Sequence, residues 1–381
     1  MDFELTQDQQ MLVESAATFV KRESPPGRVR KLRGDPRGWS TDLWRKMGEL
    51  GWLGVSFPET AGGLGGSFVD VALVLEQFGT SLVAEPYIAS VVLAGNAIAM
   101  AGDSRAHERW LAPMLAGETS LAFGYAERGS RYQTTSVHTR AERRGAGYVL
   151  TGEKAFVVNG HTADAIVMSA RTAGAATDRG GISLFVVPKD ANGLAITPMQ
   201  TIDGHRAAMV KLSSVELSDD HRLGEDGAAA DVIERVLDHG AAAAVAEGVG
   251  ILRAVLSMTT EYLNTREQFG VKIGTFQALQ HRAVEMFVEV QLVRSMAIMA
   301  AIKVGDADRT ERMSAVSAAK AHLGTSGKFV TQQAIQLHGG IGVTDEHDVG
   351  LYFKRMHALN TLFGDEEWHV ARYAALPTFE G

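Results

Sequence analysis

The chain has 381 residues, 45% of them apolar and 22% charged, with a net charge of -8 and no cysteine. Such a length exceeds one small core and points to two or three globular domains, and the apolar share excludes a disordered chain. The acidic balance argues against a nucleic-acid binder, which needs a basic field to displace counterions, and without cysteine there are no disulfides, thiolate metal sites or cysteine nucleophiles.

The opening Met1-Asp2-Phe3-Glu4 is acidic where a signal peptide is basic, and no apolar stretch approaches the roughly 20 residues of a membrane span, so the cytoplasm is the expected location. From Thr6 to about Gly117 the pattern is helical, starting with Met11, Leu12, Ala16, Phe19 and Val20 behind a Thr6 cap and broken by Pro25-Pro26-Gly27. The basic run Arg28, Arg30, Lys31 and Arg33 is short and reads as solvated surface. An amphipathic piece covers Ser40 to Leu50, turns fill Gly51 to Gly66, and helical segments follow at about Phe68 to Phe78 and Ala84 to Met100. The stretch Gly62-Gly63-Leu64-Gly65-Gly66 lacks the Gly-Lys-Ser/Thr ending of a phosphate loop and reads as a tight connection between helices.

Between Ser120 and about Leu223, β-rich runs at Ala165 to Met168, Ile182 to Val187 and Met209 to Leu212 alternate with turn residues. From Gly227 to Ala375 apolar faces return at helical spacing, as in a four-helix bundle. No internal repeat is evident. The expected fold is therefore α+β, with an N-terminal helical domain (1–118), a middle β domain (119–226) and a C-terminal helical bundle (227–381), an order unlike an alternating Rossmann design.

Four motifs in sequence order carry a resemblance. Val55-Ser56-Phe57-Pro58-Glu59 with Gly62-Gly63-Leu64-Gly65, then Gly152-Glu153-Lys154-Ala155-Phe156-Val157-Val158-Asn159-Gly160, then Arg266-Glu267-Gln268-Phe269-Gly270 with Phe276-Gln277, and finally Gln336-Leu337-His338-Gly339-Gly340-Ile341-Gly342 are similar to signatures of the acyl-CoA dehydrogenase family. The shorter stretches Glu127 with Ser130-Arg131-Tyr132, Phe353-Lys354-Arg355 and Phe363-Gly364-Asp365 most resemble the small subunit of pimeloyl-CoA dehydrogenase and subunits acting on steroid side chains. The resemblance implies FAD as cofactor, an acyl-CoA thioester as substrate, an electron-transfer flavoprotein as electron acceptor, and a homo- or hetero-oligomer, dimer or tetramer, in which neighbouring subunits share the FAD site. It implies FAD contacts from Tyr125, Phe156, Val158, Arg266, Phe269, Gln277, Gln336, Gly339, Gly340 and Asp365, and no metal.

Residue chemistry supports part of that carry-over. A guanidinium such as Arg266 grips a pyrophosphate by charge-assisted hydrogen bonds, the plain alternative being a surface Arg paired with Glu267 or Glu261. Gly339 and Gly340 let their amides approach a ligand, or simply stop a helix.

α,β-Dehydrogenation requires a base for the α proton, an acceptor for the β hydride and hydrogen bonds to the thioester oxygen. The family's usual base position is Phe363 here, and its usual alternative is Gly240; neither removes a proton. Glu247, alone in Ala241 to Gly250, returns to nearly the same helix face seven residues after Gly240, about 10.5 Å further along, and is the candidate base. Against it stands the reading that Glu247 pairs with a buried Arg such as Arg253 or Arg294. Asp365, Glu366 and Glu367 are held in reserve. The Ala and Gly run beside Glu247 admits close helix packing or a wide acyl pocket. Further departures from the family are Phe156 for its Trp, Val158 for its Thr, Ala126-Glu127-Arg128-Gly129 for Thr-Glu-Pro-Gly, and Ala241 for an Arg. They leave a catalytically inert partner subunit, and more remotely a flavin oxidase or monooxygenase on the same scaffold, as alternatives to a dehydrogenase.

Overall fold

The computed structural model describes residues 4–377. Thr6 caps α1 (Gln7–Glu23) through a reciprocal capping box with Gln9. Helices α2 (Arg28–Leu32), α3 (Thr41–Glu49, capped by Ser40) and α4 (Phe68–Ser81) follow. A fully buried π-helical stretch, Ile88–Gly95, leads into α5 (Asn96–Ala101), α6 (Ser104–Ala106) and α7 (Ala112–Leu115).

Strands β1 (Leu121–Gly124), β2 (Arg140–Arg144), β3 (Gly147–Val158), β4 (Ala165–Arg171), β5 (Ile182–Pro188), β6 (Leu194–Gln200), β7 (Arg206–Ser218) and β8 (Arg222–Leu223) form one sheet. Its order is β6-β7-β3-β2-β4-β5-β8, with β1 parallel to β4. All three β-rich runs expected from the sequence lie in strands. Helices α8 (Ala230–Thr265), α9 (Gln277–Lys303), α10 (Arg309–His338), α11 (Val349–Thr361) and α12 (Glu366–Ala374) complete the chain, with a two-stranded ribbon, β9 (Glu267–Gln268) and β10 (Val271–Lys272), between α8 and α9.

The three successive segments expected along the chain are not the grouping that contacts produce. One compact unit gathers the described residues up to Lys31, Phe68–Val83, and those from Ala241 onward; the other holds Leu32–Ser67 and Ala84–Gly240. The first is helical apart from the β9–β10 ribbon. Its central α10 is lined by α9, α11 and α12, and α8 lies against α4 through glycines: a Cβ on Gly79 would stand 2.1 Å from the Glu247 carbonyl oxygen, and one on Gly250 would stand 1.9 Å from that of Glu76. A Cβ on Gly248 would meet Leu323 of α10 at 2.6 Å. Close packing is thus the use made of the small-residue run.

The second unit is built on the sheet. Its core joins Leu150, Ile166, Met168, Phe185, Val187, Val210 and Leu212, and β4, buried along its whole length and apolar from Ala165 to Met168, is an interior strand. The Gly62–Gly66 loop belongs here. Its amides are spent on main-chain carbonyls, Leu64 to Gly54, Gly65 to Phe57 and Gly66 to Val55, which rules out a phosphate cradle and agrees with the expected tight connection.

One expectation is corrected. Ala230–Thr265 is long and apolar enough, by length and composition, to cross a membrane. However, 72% of its most apolar window is buried within the protein, as in a core helix, because its alanines and valines pack against other elements.

Candidate active site

In the helical unit the cofactor candidates converge where three helices end or begin. Tyr262, in the last turn of α8, stacks on His338, the last residue of α10, with ring centroids 4.6 Å apart. His347 packs on the same ring at 4.5 Å. Near the start of α9, Arg282 donates to Gln333 of α10 at 3.0 Å. These contacts bring Arg266, Phe269 and Gln277 to the end of the bundle that carries Gln336, Gly339 and Gly340. Neither the ring stack nor the Arg282–Gln333 bond is readable from spacing, because both join residues far apart in the chain.

The groups gathered there face outward. Phe269 is 91% exposed and meets the Phe276 ring edge-on, centroids 6.2 Å apart. Arg266 is exposed and, among the described residues, has no carboxylate within ion-pair reach, so it is not the surface partner of Glu267 or Glu261. Gly339 ends α10 with φ +61°, as the helix-stop reading expected, yet a Cβ on Gly339, Gly340 or Gly270 would meet nothing within 4 Å. An unpaired guanidinium, an exposed ring and a glycine turn with open space beside it, on one surface, fit the pyrophosphate and adenosine portion of FAD.

Asp365 stands elsewhere. It caps α12, its Oδ1 accepting from the Trp368 amide at 2.9 Å. The turn before it is bound to Lys320, which donates to the Gly364 carbonyl at 2.8 Å and to that of Asn360 at 3.2 Å. Lys320 lies 16 residues upstream of Gln336 in α10, roughly 24 Å along the axis, so Asp365 does not join the Gln336–Gly340 cluster. Phe363, at the family's usual base position, is buried with φ +61°, and its carbonyl accepts from His369 at 3.1 Å. Of the reserve carboxylates, Glu366 accepts from the Thr325 hydroxyl at 2.8 Å and Glu367 is exposed.

Glu247 is buried and ion-paired. Arg355 of α11 donates Nε–H to Oε1 at 2.6 Å and Nη2–H to Oε2 at 2.9 Å, a two-pronged fork across 108 residues of chain. The paired reading therefore holds, but with a different partner from the two expected. Arg253 engages Glu76 and Arg294 is exposed. The fork occupies one lone-pair site on each oxygen of a carboxylate that has about four.

In the sheet unit, Tyr125 follows β1 and is half-buried against Phe123, centroids 5.9 Å apart; burial around its hydroxyl, and then Tyr132, push the phenol pKa up. Phe156 leaves the β3 ladder with φ +54° and is 43% exposed. Val158 is half-buried, and next to it the Nδ2 of Asn159 is a buried donor with no acceptor among the described residues. This face, with an exposed ring, an aliphatic side chain and an unmatched donor, fits an aromatic ring system edged by acceptors.

Family models covering three domains match in order: acyl-CoA dehydrogenase N-terminal domain over residues 6–118, middle domain over 122–219 and C-terminal domain over 229–375. Probable acyl-CoA dehydrogenase YngJ of Bacillus subtilis is 31% identical over 92% of either chain. Acyl-CoA dehydrogenase IpdE2 of Mycobacterium tuberculosis is 31% identical, covering 92% of this chain and 91% of its own. Among solved structures, the ChsE4-ChsE5 complex from Mycobacterium tuberculosis matches with TM-score 0.87 and 29% identity over 98% of this chain and 97% of that one. One described as an electron transferring flavoprotein of Acidaminococcus fermentans matches with TM-score 0.91 and 29% identity over 98% of both.

Proposed function

The chain belongs to the acyl-CoA dehydrogenase family, FAD-dependent oxidoreductases acting on CH–CH bonds, and on that premise we propose that it converts an acyl-CoA thioester to the trans-2-enoyl-CoA with Glu247 as the base. The observation that carries the assignment to Glu247 is a buried carboxylate in α8 where Phe363 and Gly240 supply none.

Bound FAD supplies the acceptor for the hydride leaving Cβ. In the helical unit Arg266 would hold pyrophosphate oxygens, Phe269 would cover the adenosine end, the open space over Gly339 and Gly340 would let the cofactor approach the main chain, and the Gln277 and Gln336 side chains would hydrogen-bond to it. In the sheet unit Tyr125, Phe156 and Val158 would offer a face to a flavin ring. Asp365, the cap of α12, stands apart from these contacts. Glu247 takes the α proton onto a lone pair that the Arg355 fork leaves free, while Arg355 holds the carboxylate in one orientation. The Cα–H electron pair becomes the new C=C bond as hydride departs from Cβ. A Glu247→Gln variant keeps FAD and loses turnover; unchanged rates in that variant remove Glu247 from the role.

A second reading has its own support. The closed Glu247–Arg355 pair, with Phe363 and Gly240, suits a subunit that completes a heteromeric enzyme without performing chemistry. The isolated protein separates the two: flavin absorbance that bleaches on adding acyl-CoA is incompatible with an inert subunit.

An oligomer is supported by α9. Val284, Phe287, Val288, Leu292, Ile298 and Met299 lie on its exposed side, while Met286, Val290, Val293 and Ala300 pack inward. A helix apolar on both faces is normally covered on both. We assign the outer face to a second subunit, identical or homologous, in a dimer or tetramer, place the assembly in the cytoplasm, and name an electron-transfer flavoprotein as its oxidant. Charged replacements at Phe287 and Leu292 should shift the assembly to smaller species in light scattering coupled to size exclusion.

A further inference from the structure

The sheet unit holds an ion pair that the proposed reaction does not use. Lys154 in β3 and Glu127 in the loop after β1 are buried, and Lys154 Nζ donates to Glu127 Oε1 at 2.7 Å and to the Ser169 hydroxyl of β4 at 2.9 Å. Glu127 collects more donors: its Oε2 accepts from the His138 amide at 2.7 Å, and its Oε1 from that of Thr139 at 3.0 Å. The Glu127 main chain is closed on itself through the Ser130 hydroxyl, 3.0 Å from its amide and 2.9 Å from its carbonyl. One buried pair thereby ties together the β1 loop, β3, β4 and the segment leading into β2.

Its position relative to the flavin-facing residues gives the pair a meaning. In the β3–β7 ladder Lys154 opposes Val210 and the next paired residue, Val157, opposes Ala208, so Ala155 and Phe156 share the space of one residue on β7. That is a bulge, and it turns Phe156 out of the sheet. Lys154 is the last residue in register before it. The bulge is pinned from the other side by the Ala155 amide, which donates to the Ala126 carbonyl at 2.8 Å, next to Glu127. Tyr125 therefore lies two residues before one member of the pair, and Phe156 two residues after the other.

Burying an ammonium is unfavourable: desolvation brings the Lys154 pKa down to about 8 in spite of Glu127. An apolar pair of similar volume commonly gives equal or greater stability at such a site. Stability alone is thus a weak reason for charges there, whereas directed hydrogen bonds that permit one bulge geometry are a sufficient one.

We propose that Lys154 and Glu127 are positioning residues for FAD, holding the Ala155–Phe156 bulge and the Tyr125 loop in the one arrangement that receives the flavin ring. The inference rests on the flavin-dependent reading and is separable from it. FAD binding to the unaltered protein, with any subunit that co-purifies, tests that reading; the difference between variants tests the positioning role.

The decisive variant is the double Lys154→Met, Glu127→Gln, in which no charge is left uncompensated and the Gln oxygen keeps one of the two loop-amide bonds. Lys154→Met alone serves only to show the penalty of stranding Glu127. With far-ultraviolet circular dichroism and melting midpoint of the double variant near those of the parent, its FAD dissociation constant, followed by flavin fluorescence, should rise at least tenfold. The visible circular dichroism of residual bound flavin should also change. An exposed control pair, Arg128 and Glu153, replaced by neutral residues, should leave both unchanged. A folded double variant that binds FAD within twofold of the parent with the same visible spectrum overturns the proposal, as does a control variant that weakens FAD equally.

Discussion

Replacing Arg355 by Met tests whether the Glu247–Arg355 fork is the closed, buried pair described. The guanidinium makes two hydrogen bonds, of 2.6 and 2.9 Å, to a carboxylate that is 4% exposed. Removing one member strands a charge, which typically costs about 3–5 kcal/mol, whereas replacing both with apolar residues is often neutral. For 381 residues unfolding as one transition the entropy is about 0.8 kcal/mol/K. Arg355→Met should therefore lower the melting midpoint by roughly 4–6 °C, and the double variant Arg355→Met, Glu247→Leu should recover most of that loss. Differential scanning calorimetry at pH 7 and moderate salt reads both. Losses that simply add in the double variant, or an Arg355→Met protein as stable as its parent, would refute a coupled buried pair and with it the orientation given to the base.

Three other outcomes are expected. Gly79→Ala and Gly250→Ala each drive a methyl into a carbonyl of the facing helix, at 2.1 and 1.9 Å, so each should destabilise by about 3 kcal/mol or more, beyond ordinary overpacking; urea midpoints close to the parent's would mean that α4 and α8 do not approach as described. Lys320 is buried against the Asn360 and Gly364 carbonyls, and desolvation lowers its pKa to about 7. The unfolded chain keeps that proton up to about pH 10.5 while the folded protein releases it near 7, so stability should rise with pH across this window by up to about 1.4 kcal/mol per unit, with no contribution to the slope below it. Lys320→Met should remove that slope, measured as urea unfolding from pH 6 to 10. Arg266→Ala should leave thermal stability within about 0.5 kcal/mol, because the side chain is exposed, while weakening FAD roughly ten- to a hundredfold through the lost charge-assisted bonds; titration of the apoprotein with FAD decides it.

The parts that were legible beforehand are those that depend on neighbours in sequence. Thr6 and Ser40 were visible as helix starts because capping uses residues within one turn, and the apolar runs within β4 and β5 marked strands because a buried strand is dominated by apolar side chains over consecutive residues. The order of motifs identified the family for a similar reason: each is a short segment whose chemistry is complete in itself. The expectation that no apolar stretch reaches span length was not met on composition, because small apolar residues that serve close helix packing have the composition of a lipid-facing helix, and only packing distinguishes them.

For Glu247 the sequence by itself established the type of problem: a lone carboxylate among alanines and valines must find a partner or a proton, and the family's usual base positions hold Phe363 and Gly240. Its local surroundings contained nothing to select Arg355 over Arg253 or Arg294. That choice was made by the tertiary structure, which carries α11 past α8 across 108 residues and leaves Arg253 facing Glu76. The same holds for the ring stack that gathers Arg266 and Gly339, and for the apolar outer face of α9. Helical and strand periodicities are properties of a few consecutive residues, whereas the identity of a buried charge's partner depends on which elements touch, and that is settled only when the whole unit packs.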